Sequence, residues 1–135
     1  MAPRRDLTPE PNRPNSYVSG QVAERFAADH LRRLGYQILE TNVRVPGGEL
    51  DIVAEQKGTL VFVEVRARRG SQFGTAVETV GFSKRRRVAQ AAQGYLQVRA
   101  VDPARPSRID VVAIQLDRTG RPTGVDVITN AFGLE

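Results

Sequence analysis

The sequence predicts a single α/β domain with the element order α-β-β-β-α-β, in which a mixed sheet has a helix on either side. Three observations predict it. Apolar residues recur at helical spacing in two segments, residues 22–34 and 88–96. Between these segments, three strand-like runs follow one another, separated by glycine-containing turns. A further apolar run follows the second helical segment, and 135 residues suffice for one core but not for two.

Residues 1–16 are predicted to form a disordered basic leader, and residues 17–135 the folded domain. The first fifteen residues contain four prolines and three arginines, and they lack the apolar segment of a secretory signal. No stretch of the sequence approaches the roughly 20 apolar residues that a membrane helix needs. The chain has no cysteine, which excludes disulfides and thiolate chemistry and is compatible with a reducing cytosol. We therefore expect a cytoplasmic protein with no membrane segment.

The first helix is predicted from Ser19, as its N-cap, to a stop at Gly35. Glu24 lies about 100° from the centre of the apolar stripe, at the edge of the buried face rather than opposite it. The stripe consists of Val22, Ala23, Phe26, Ala27, His30, Leu31 and Leu34.

The three central strands are predicted over residues 36–45, 48–54 and 60–68, and the last two carry Asp51 and Glu64 where a core strand would have an apolar or neutral residue. Alternation along the third strand places Glu64 and Arg66 on one face. A hairpin turn at residues 56–58 would bring the strand of Asp51 alongside that of Glu64. Two carboxylates brought together in this way can hold a hard divalent cation.

The second helix is predicted to begin at Ser83, after a loop over residues 70–82. Its first turn carries Lys84, Arg85, Arg86 and Arg87, which oppose the helix dipole unless an anion is bound, so a phosphate would fit there. Two strands are predicted to follow, an apolar one over residues 109–116 and a short, weaker one over residues 125–128.

Basic residues outnumber acidic ones by 20 to 15, for a net charge of +5, and all but Lys57 and Lys84 are arginines. The guanidinium group matches phosphate, so this composition favours a polyanionic partner such as nucleic acid. Ordinary arginine use in a GC-rich genome explains the same composition. The aromatic residues form no platform for stacking single-stranded bases.

Glu24, Asp51 and the tripeptide Glu64-Val65-Arg66 occur in the order of the PD-(D/E)xK nuclease motif, which they resemble except that Arg66 stands where that motif has lysine. A set of further blocks consists of Gly20-x-x-Ala23-Glu24, Gly35-Tyr36-x-Ile38-Leu39, Asn42, residues 48–54, residues 61–65, Lys84, Ala91-Ala92-x-x-Tyr95-Leu96 and residues 109–114. With these blocks, the chain resembles the bacterial YraN family of endonuclease-like proteins, within that superfamily.

The resemblance implies a restriction endonuclease-like fold and metal-dependent hydrolysis of DNA. By analogy, Asp51, Glu64, the Val65 carbonyl and Glu24 would hold Mg²⁺ or Mn²⁺. Arg66 would stabilise the charged transition state, but it is a poor base because arginine is effectively never deprotonated. The residues expected to contact the nucleic acid are Arg68, Arg69, Lys84, Arg85, Arg86 and Arg87. A similarity in length and motif order to archaeal Holliday-junction resolvases implies branched or damaged DNA as substrate and a homodimer.

Other interpretations remain open from the sequence. The protein would be a non-catalytic nucleic-acid-binding module if Arg66 abolishes turnover, or an assembly factor if its basic surface meets an acidic protein. Glu64 and Arg66 would be an ordinary pair on a solvent-facing strand if the site does not form. Asp110, which opens a strand beside Arg108, is expected to be structural, and His30 is assigned no role.

Overall fold

The computed structural model describes residues 16–69 and 81–134, which form two helices and one five-stranded sheet. The elements in chain order are α1 (Ser16–Arg33), β1 (Gln37–Val45), β2 (Gly48–Gln56), β3 (Thr59–Arg69), α2 (Phe82–Val98), β4 (Ser107–Leu116) and β5 (Pro122–Phe132). The strand order is β1-β2-β3-β4-β5, with β3 and β4 parallel and the other neighbours antiparallel. The predicted α/β class and the α-β-β-β-α-β core are confirmed.

Each face of the sheet is covered by one helix. On the face of α1, Ile52, Val61 and Val63 pack against Ala27 and Leu31. On the face of α2 lies a second cluster, which includes Leu50, Val53, Phe62, Ala91 and Tyr95. Burial on both faces explains why residues 60–63 of β3 form a continuous apolar run without a polar face.

The predicted hairpin between β2 and β3 is confirmed. Lys57 and Gly58, the two residues between the strands, have φ angles of 51° and 85°. Positive φ at both positions is typical of the type I′ turn, whose twist matches that of antiparallel strands. Gly35, with φ of 95°, follows the end of α1 as predicted.

Two expectations about element ends were wrong. The first helix begins at Ser16, so Ser19 lies inside α1 and is not its N-cap. The last strand runs from Pro122 to Phe132 rather than over residues 125–128, because β5 pairs with β4 along most of its length. The expected leader up to residue 15, and residues 70–80 of the expected loop, lie outside the described residues.

Glycines allow α2 to lie directly against the turn between β1 and β2. A Cβ atom on Gly94 would overlap the carbonyl oxygen of Pro46, and one on Gly47 would lie 2.8 Å from the carbonyl oxygen of Gln90. This close approach fixes α2 relative to the beginning of β2, and therefore places the first turn of α2. No helix within residues 16–69 and 81–134 is long and apolar enough to cross a membrane.

Candidate active site

The strands β2 and β3 separate where the acidic residues lie. Their ladder ends at the pair Ile52 and Val63, one position before Asp51 and Glu64 would pair. From there β2 continues beside β1, whereas β3 continues beside β4 as far as Arg69. The divergence opens a gap in the sheet, and both predicted carboxylates lie at its edge.

The side chain of Asp51 bridges this gap to β3. Its Oδ2 atom accepts a hydrogen bond of 2.9 Å from the backbone N–H of Val65. The N–H and C=O groups of one extended residue face the same side of a strand, so the carbonyl of Val65 also faces the gap. An aspartate oxygen, a backbone carbonyl and the next carboxylate therefore share one location.

Glu64 is buried, with 5 % of its surface exposed, and lies within hydrogen-bonding reach of Asp51. The Nζ atom of Lys84, in the first turn of α2, lies 3.3 Å from its Oε2 atom. The predicted convergence of Asp51 and Glu64 is therefore present in the structure. Burial of Glu64 excludes the alternative interpretation of an ordinary solvent-facing pair with Arg66.

Glu24 reaches the same place from α1. It lies within hydrogen-bonding reach of Asp51 and of Asn42, and it is half-buried at the edge of the helix face, as the sequence predicted. Asn42 has φ of 53°, in the left-handed region that asparagine tolerates better than most residues, and it interrupts the ladder of β1 opposite Asp51. No role was predicted for Asn42, although an asparagine inside a strand is a signal of such an irregularity.

The pKa values of all three carboxylates are raised. Burial and the nearby Asp51 carboxylate raise the pKa of Glu24 to about 7, while the Asn42 amide acts in the opposite direction. Burial and Asp51 also raise the pKa of Glu64 to about 7, against the effect of the Lys84 ammonium. Burial likewise raises the pKa of Asp51. Carboxylates this close together repel one another when ionised, and a bound metal ion would relieve that repulsion.

A cavity of about 400 Å³ opens over the carboxylates. The predicted site residues that line it are Glu24, Asp51, Glu64, Val65, Arg66, Arg69 and Lys84. Four other predicted residues do not line it: Arg68, Arg85, Arg86 and Arg87. The guanidinium of Arg85 lies 5.7 Å from the ring centre of Phe132, whereas Arg86 and Arg87 are exposed on the surface of α2.

The oxygen donors of the site suit a hard cation that keeps part of its water shell. Among residues 16–69 and 81–134, no group of three or more histidine, cysteine, aspartate or glutamate side chains is placed to hold a metal ion. Mg²⁺ does not require one, since it is commonly held by one or two carboxylates together with water and substrate phosphate. Asp51, Glu64 and the Val65 carbonyl fit that mode of binding, with Glu24 linked to it through Asp51.

The family model described as "Uncharacterised protein family UPF0102" matches residues 23–114, which include every carboxylate of the site and Lys84. Three similar relatives, each called a UPF0102 protein, illustrate the match. The Moorella thermoacetica protein is 49 % identical over 84 % of this chain and 93 % of its own length. The corresponding values are 45 %, 86 % and 92 % for Syntrophotalea carbinolica, and 40 %, 90 % and 97 % for Pseudomonas aeruginosa.

Among solved structures, the chain is similar to that of Pyrococcus furiosus SfsA in complex with Ca²⁺. The two are 12 % identical, and the similarity covers 85 % of this chain and 62 % of that one, with a TM-score of 0.37. The chain thus spans less than two thirds of that protein, and a similarity this low carries neither fold nor function from one to the other.

Proposed function

Since the chain belongs to the UPF0102 family, whose matched region contains the whole carboxylate site, we propose that it is a metal-dependent nuclease that hydrolyses phosphodiester bonds in DNA. One observation carries the proposal. Asp51 and Glu64, which come from different strands, meet where β2 and β3 separate, beside the basic side chains of Arg66 and Lys84. This combination of oxygen donors and cations matches the needs of phosphodiester cleavage.

Asp51 and Glu64, with the Val65 carbonyl, would hold Mg²⁺ or Mn²⁺, and Glu24 would act directly or through water. When bound, such an ion supplies polarisation of a phosphate oxygen and a lowered pKa of water. The backbone N–H of Val65 fixes the orientation of Asp51 before any ligand enters. The divergence of the two strands leaves room for the phosphate at the same point.

Arg66 would stabilise negative charge on the phosphate. It lines the cavity one residue beyond Val65, and a guanidinium offers a planar fork of donors that matches phosphate. It does not accept a proton, so the proposed reaction uses it only for electrostatic stabilisation and for orienting the substrate. Arg69 lines the same cavity and extends the positive surface along β3.

The residues outside the cavity would hold the DNA backbone. Arg86 and Arg87 are exposed in the first turn of α2, next to Lys84, and Arg68 is partly exposed on β3. Arginine side chains placed around a negatively charged site attract phosphates and position the duplex without reading its sequence. We expect binding that weakens steeply as the salt concentration rises.

Branched or damaged DNA is the finer part of the proposal, and it rests on the motif order shared with archaeal Holliday-junction resolvases. Symmetric cutting of a junction requires two sites, so a homodimer is expected with it. Sedimentation of the full chain at high concentration tests the dimer, and a mass equal to one chain would contradict it.

A second candidate function is a nucleic-acid-binding module without turnover. The observation that favours it is Arg66 itself, which occupies the cavity where the nuclease motif has a lysine. The variant Arg66→Lys separates the two functions. If the wild type binds DNA without cleaving it and Arg66→Lys does cleave it, the protein is a binding module. Cleavage by the wild type supports the nuclease.

The proposed function is tested with supercoiled plasmid, linear duplex, single-stranded DNA and a four-way junction, each incubated with Mg²⁺ or Mn²⁺. We expect cleavage of at least one substrate by the wild type, and none with a chelator or with the isosteric variant Asp51→Asn. Equal cleavage by Asp51→Asn would point to a contaminant. Failure of the wild type on every substrate would overturn the proposal.

A further inference from the structure

Lys84 is placed differently from the arginines that follow it in α2. The sequence shows one run of four cations at the beginning of α2, which is typical of a surface that contacts phosphates along a duplex. In the structure Lys84 turns into the cavity and pairs with Glu64, whereas Arg86 and Arg87 remain on the exposed surface of the helix. The run therefore contains one residue of the site and a separate outer group.

The pair between Lys84 and Glu64 is asymmetric. The Glu64 side chain is 6 % exposed and fixed on β3, whereas the Lys84 side chain is 38 % exposed. Lysine carries its ammonium on four flexible methylene groups and has three rotatable donors, so it can change partners without moving the helix. Glu64 cannot follow it, because the strand and the neighbouring Asp51 hold the carboxylate in place.

A divalent cation and the Lys84 ammonium compete for the same carboxylate. Glu64 is one of the two side chains that would hold the metal, and the ammonium lies 3.3 Å from its Oε2 atom. Two positive charges at one carboxylate repel each other strongly in a partly buried site. A phosphate that enters the same cavity would offer the displaced ammonium a new anionic partner.

We propose that Lys84 exchanges partners within the site, pairing with Glu64 when no metal is bound and with the phosphate of the DNA once the metal has taken Glu64. This inference rests on the proposed function and adds to it a coupling between the two ligands. A metal ion that binds alone repels the Lys84 ammonium and leaves it without an anionic partner. When the phosphate binds as well, the metal pairs with Glu64 and the ammonium pairs with the phosphate. By linkage, each ligand then increases the affinity for the other.

The test measures Mn²⁺ affinity in the absence of DNA, by calorimetry or by the electron paramagnetic resonance of free Mn²⁺. The variants are Lys84→Gln and Lys57→Gln, which alter net charge equally. Lys57, the other lysine of the sequence, lies in the β2–β3 turn, six residues from Asp51 and thus about 20 Å away at the rise of a strand.

We expect Lys84→Gln to bind Mn²⁺ about three- to tenfold more tightly than the wild type, since a competing charge has been removed. Lys57→Gln should match the wild type. Lys84→Arg, which keeps the charge, should not tighten binding. With a short duplex present, the wild type should gain Mn²⁺ affinity by more than Lys84→Gln does.

Unchanged or weaker Mn²⁺ binding by Lys84→Gln, with measurable binding by the wild type, would overturn the partner exchange and leave the proposed function standing. Tighter binding by Lys84→Arg or by Lys57→Gln would also overturn it, because the effect would not then come from a charge at Glu64. If no variant and no wild-type protein binds Mn²⁺, the proposed function fails, and the exchange fails with it.

Discussion

The sheet carries two buried acidic positions that differ in how their charge is balanced. Asp110 on β4 is 0 % exposed, and it accepts hydrogen bonds of 2.9 Å from the hydroxyl of Tyr36, the Nε atom of Arg108 and the backbone N–H of Asn130. Glu64 on β3 is almost as deeply buried, yet it contacts one ammonium at 3.3 Å and a second carboxylate.

The difference distinguishes a structural acid from one that is prepared for a ligand. A buried carboxylate that receives a full set of donors needs nothing further from outside the chain. Carboxylates that are buried together, with few donors and raised pKa values, are typical of functional sites. By this criterion Asp110, which was expected to be structural, ties β4 to Tyr36 and β5, whereas Glu64, Asp51 and Glu24 are the carboxylates for which we propose a cation.

The largest expected effect is on DNA cleavage, which should depend on Asp51 and not on Asp110. Asp51→Asn should lower DNA cleavage by about 10³-fold, because it removes a charged ligand at the reacting phosphate. Asp110→Asn should leave the rate per folded molecule unchanged. Cleavage is measured at saturating Mn²⁺ on the most reactive substrate. If fully folded Asp110→Asn lost most of its DNA cleavage activity, Asp110 would take part in the reaction, and the distinction between Asp110 and Glu64 would be wrong.

For stability the expected order is reversed, since Asp110 should matter more than Asp51. Asp110→Asn should lower the free energy of unfolding by about 3 kcal/mol, because it leaves the partly buried guanidinium of Arg108 without its charged partner. Asp51→Asn should not destabilise the metal-free protein at pH 8, since it removes one of three repelling carboxylates. Urea unfolding of both variants decides the matter. Equal losses of unfolding free energy in the two variants would mean that Asp51 stabilises the fold as Asp110 does.

A smaller effect is expected on metal affinity as the pH changes. The pKa of Glu64 is raised to about 7 by burial and by Asp51, so the proton must leave before a metal ion can bind. Mn²⁺ affinity should therefore rise by about tenfold from pH 6 to pH 8, with release of protons. Calorimetry in two buffers of different ionisation enthalpy measures both quantities. Affinity independent of pH would contradict the assignment of Glu64.

The smallest effect concerns stability in the absence of metal. The pKa of Glu24 rises from 4.5 to about 7 on folding, so the folded state binds more protons than the unfolded state between these values. Stability from this group is present below pH 4.5 and is lost as the pH rises through 7. Glu24→Gln should thus stabilise the metal-free protein at pH 8 by about 1 kcal/mol or less, after allowance for solvent screening.

The matched control for Glu24→Gln is Glu40→Gln. Hydrogen bonds from Arg99 and Tyr95 lower the pKa of Glu40, so its contribution has the opposite sign and is lost as the pH falls. Thermal unfolding should show a gain for Glu24→Gln that is larger at pH 8 than at pH 5, and a loss for Glu40→Gln at both pH values, since both lie above the ordinary pKa of glutamate. The same sign for both variants would contradict the contrast between the two carboxylates.

Local patterns were sufficient to predict most of the fold and the pairing of the central acids. The type I′ turn at Lys57 and Gly58 sets the register of the hairpin, and continuing that register places Asp51 opposite Glu64. The strands β1 to β4 have strong apolar or alternating patterns. The edge strand β5 does not, because the adjacent polar residues Thr129 and Asn130 interrupt its alternation, and its full length depends on pairing with β4.

What the sequence did not predict depends on contacts between distant elements. The assignment of Lys84 to the cavity follows from the docking of α2 on the β1–β2 turn, which requires Gly94 and Gly47. A run of four cations contains no signal of which one turns inward. The role of Asn42 likewise depends on a contact between distant elements, because this left-handed residue of β1 lies within hydrogen-bonding reach of Glu24 on α1.

A crystal soaked in Mn²⁺ would show whether Asp51 and Glu64 form one site for a divalent cation. We expect an anomalous density peak within ligand distance of both carboxylates and of the Val65 carbonyl, with the ammonium of Lys84 moved away from Glu64. No peak there at saturating Mn²⁺, with Lys84 still paired to Glu64, would contradict it.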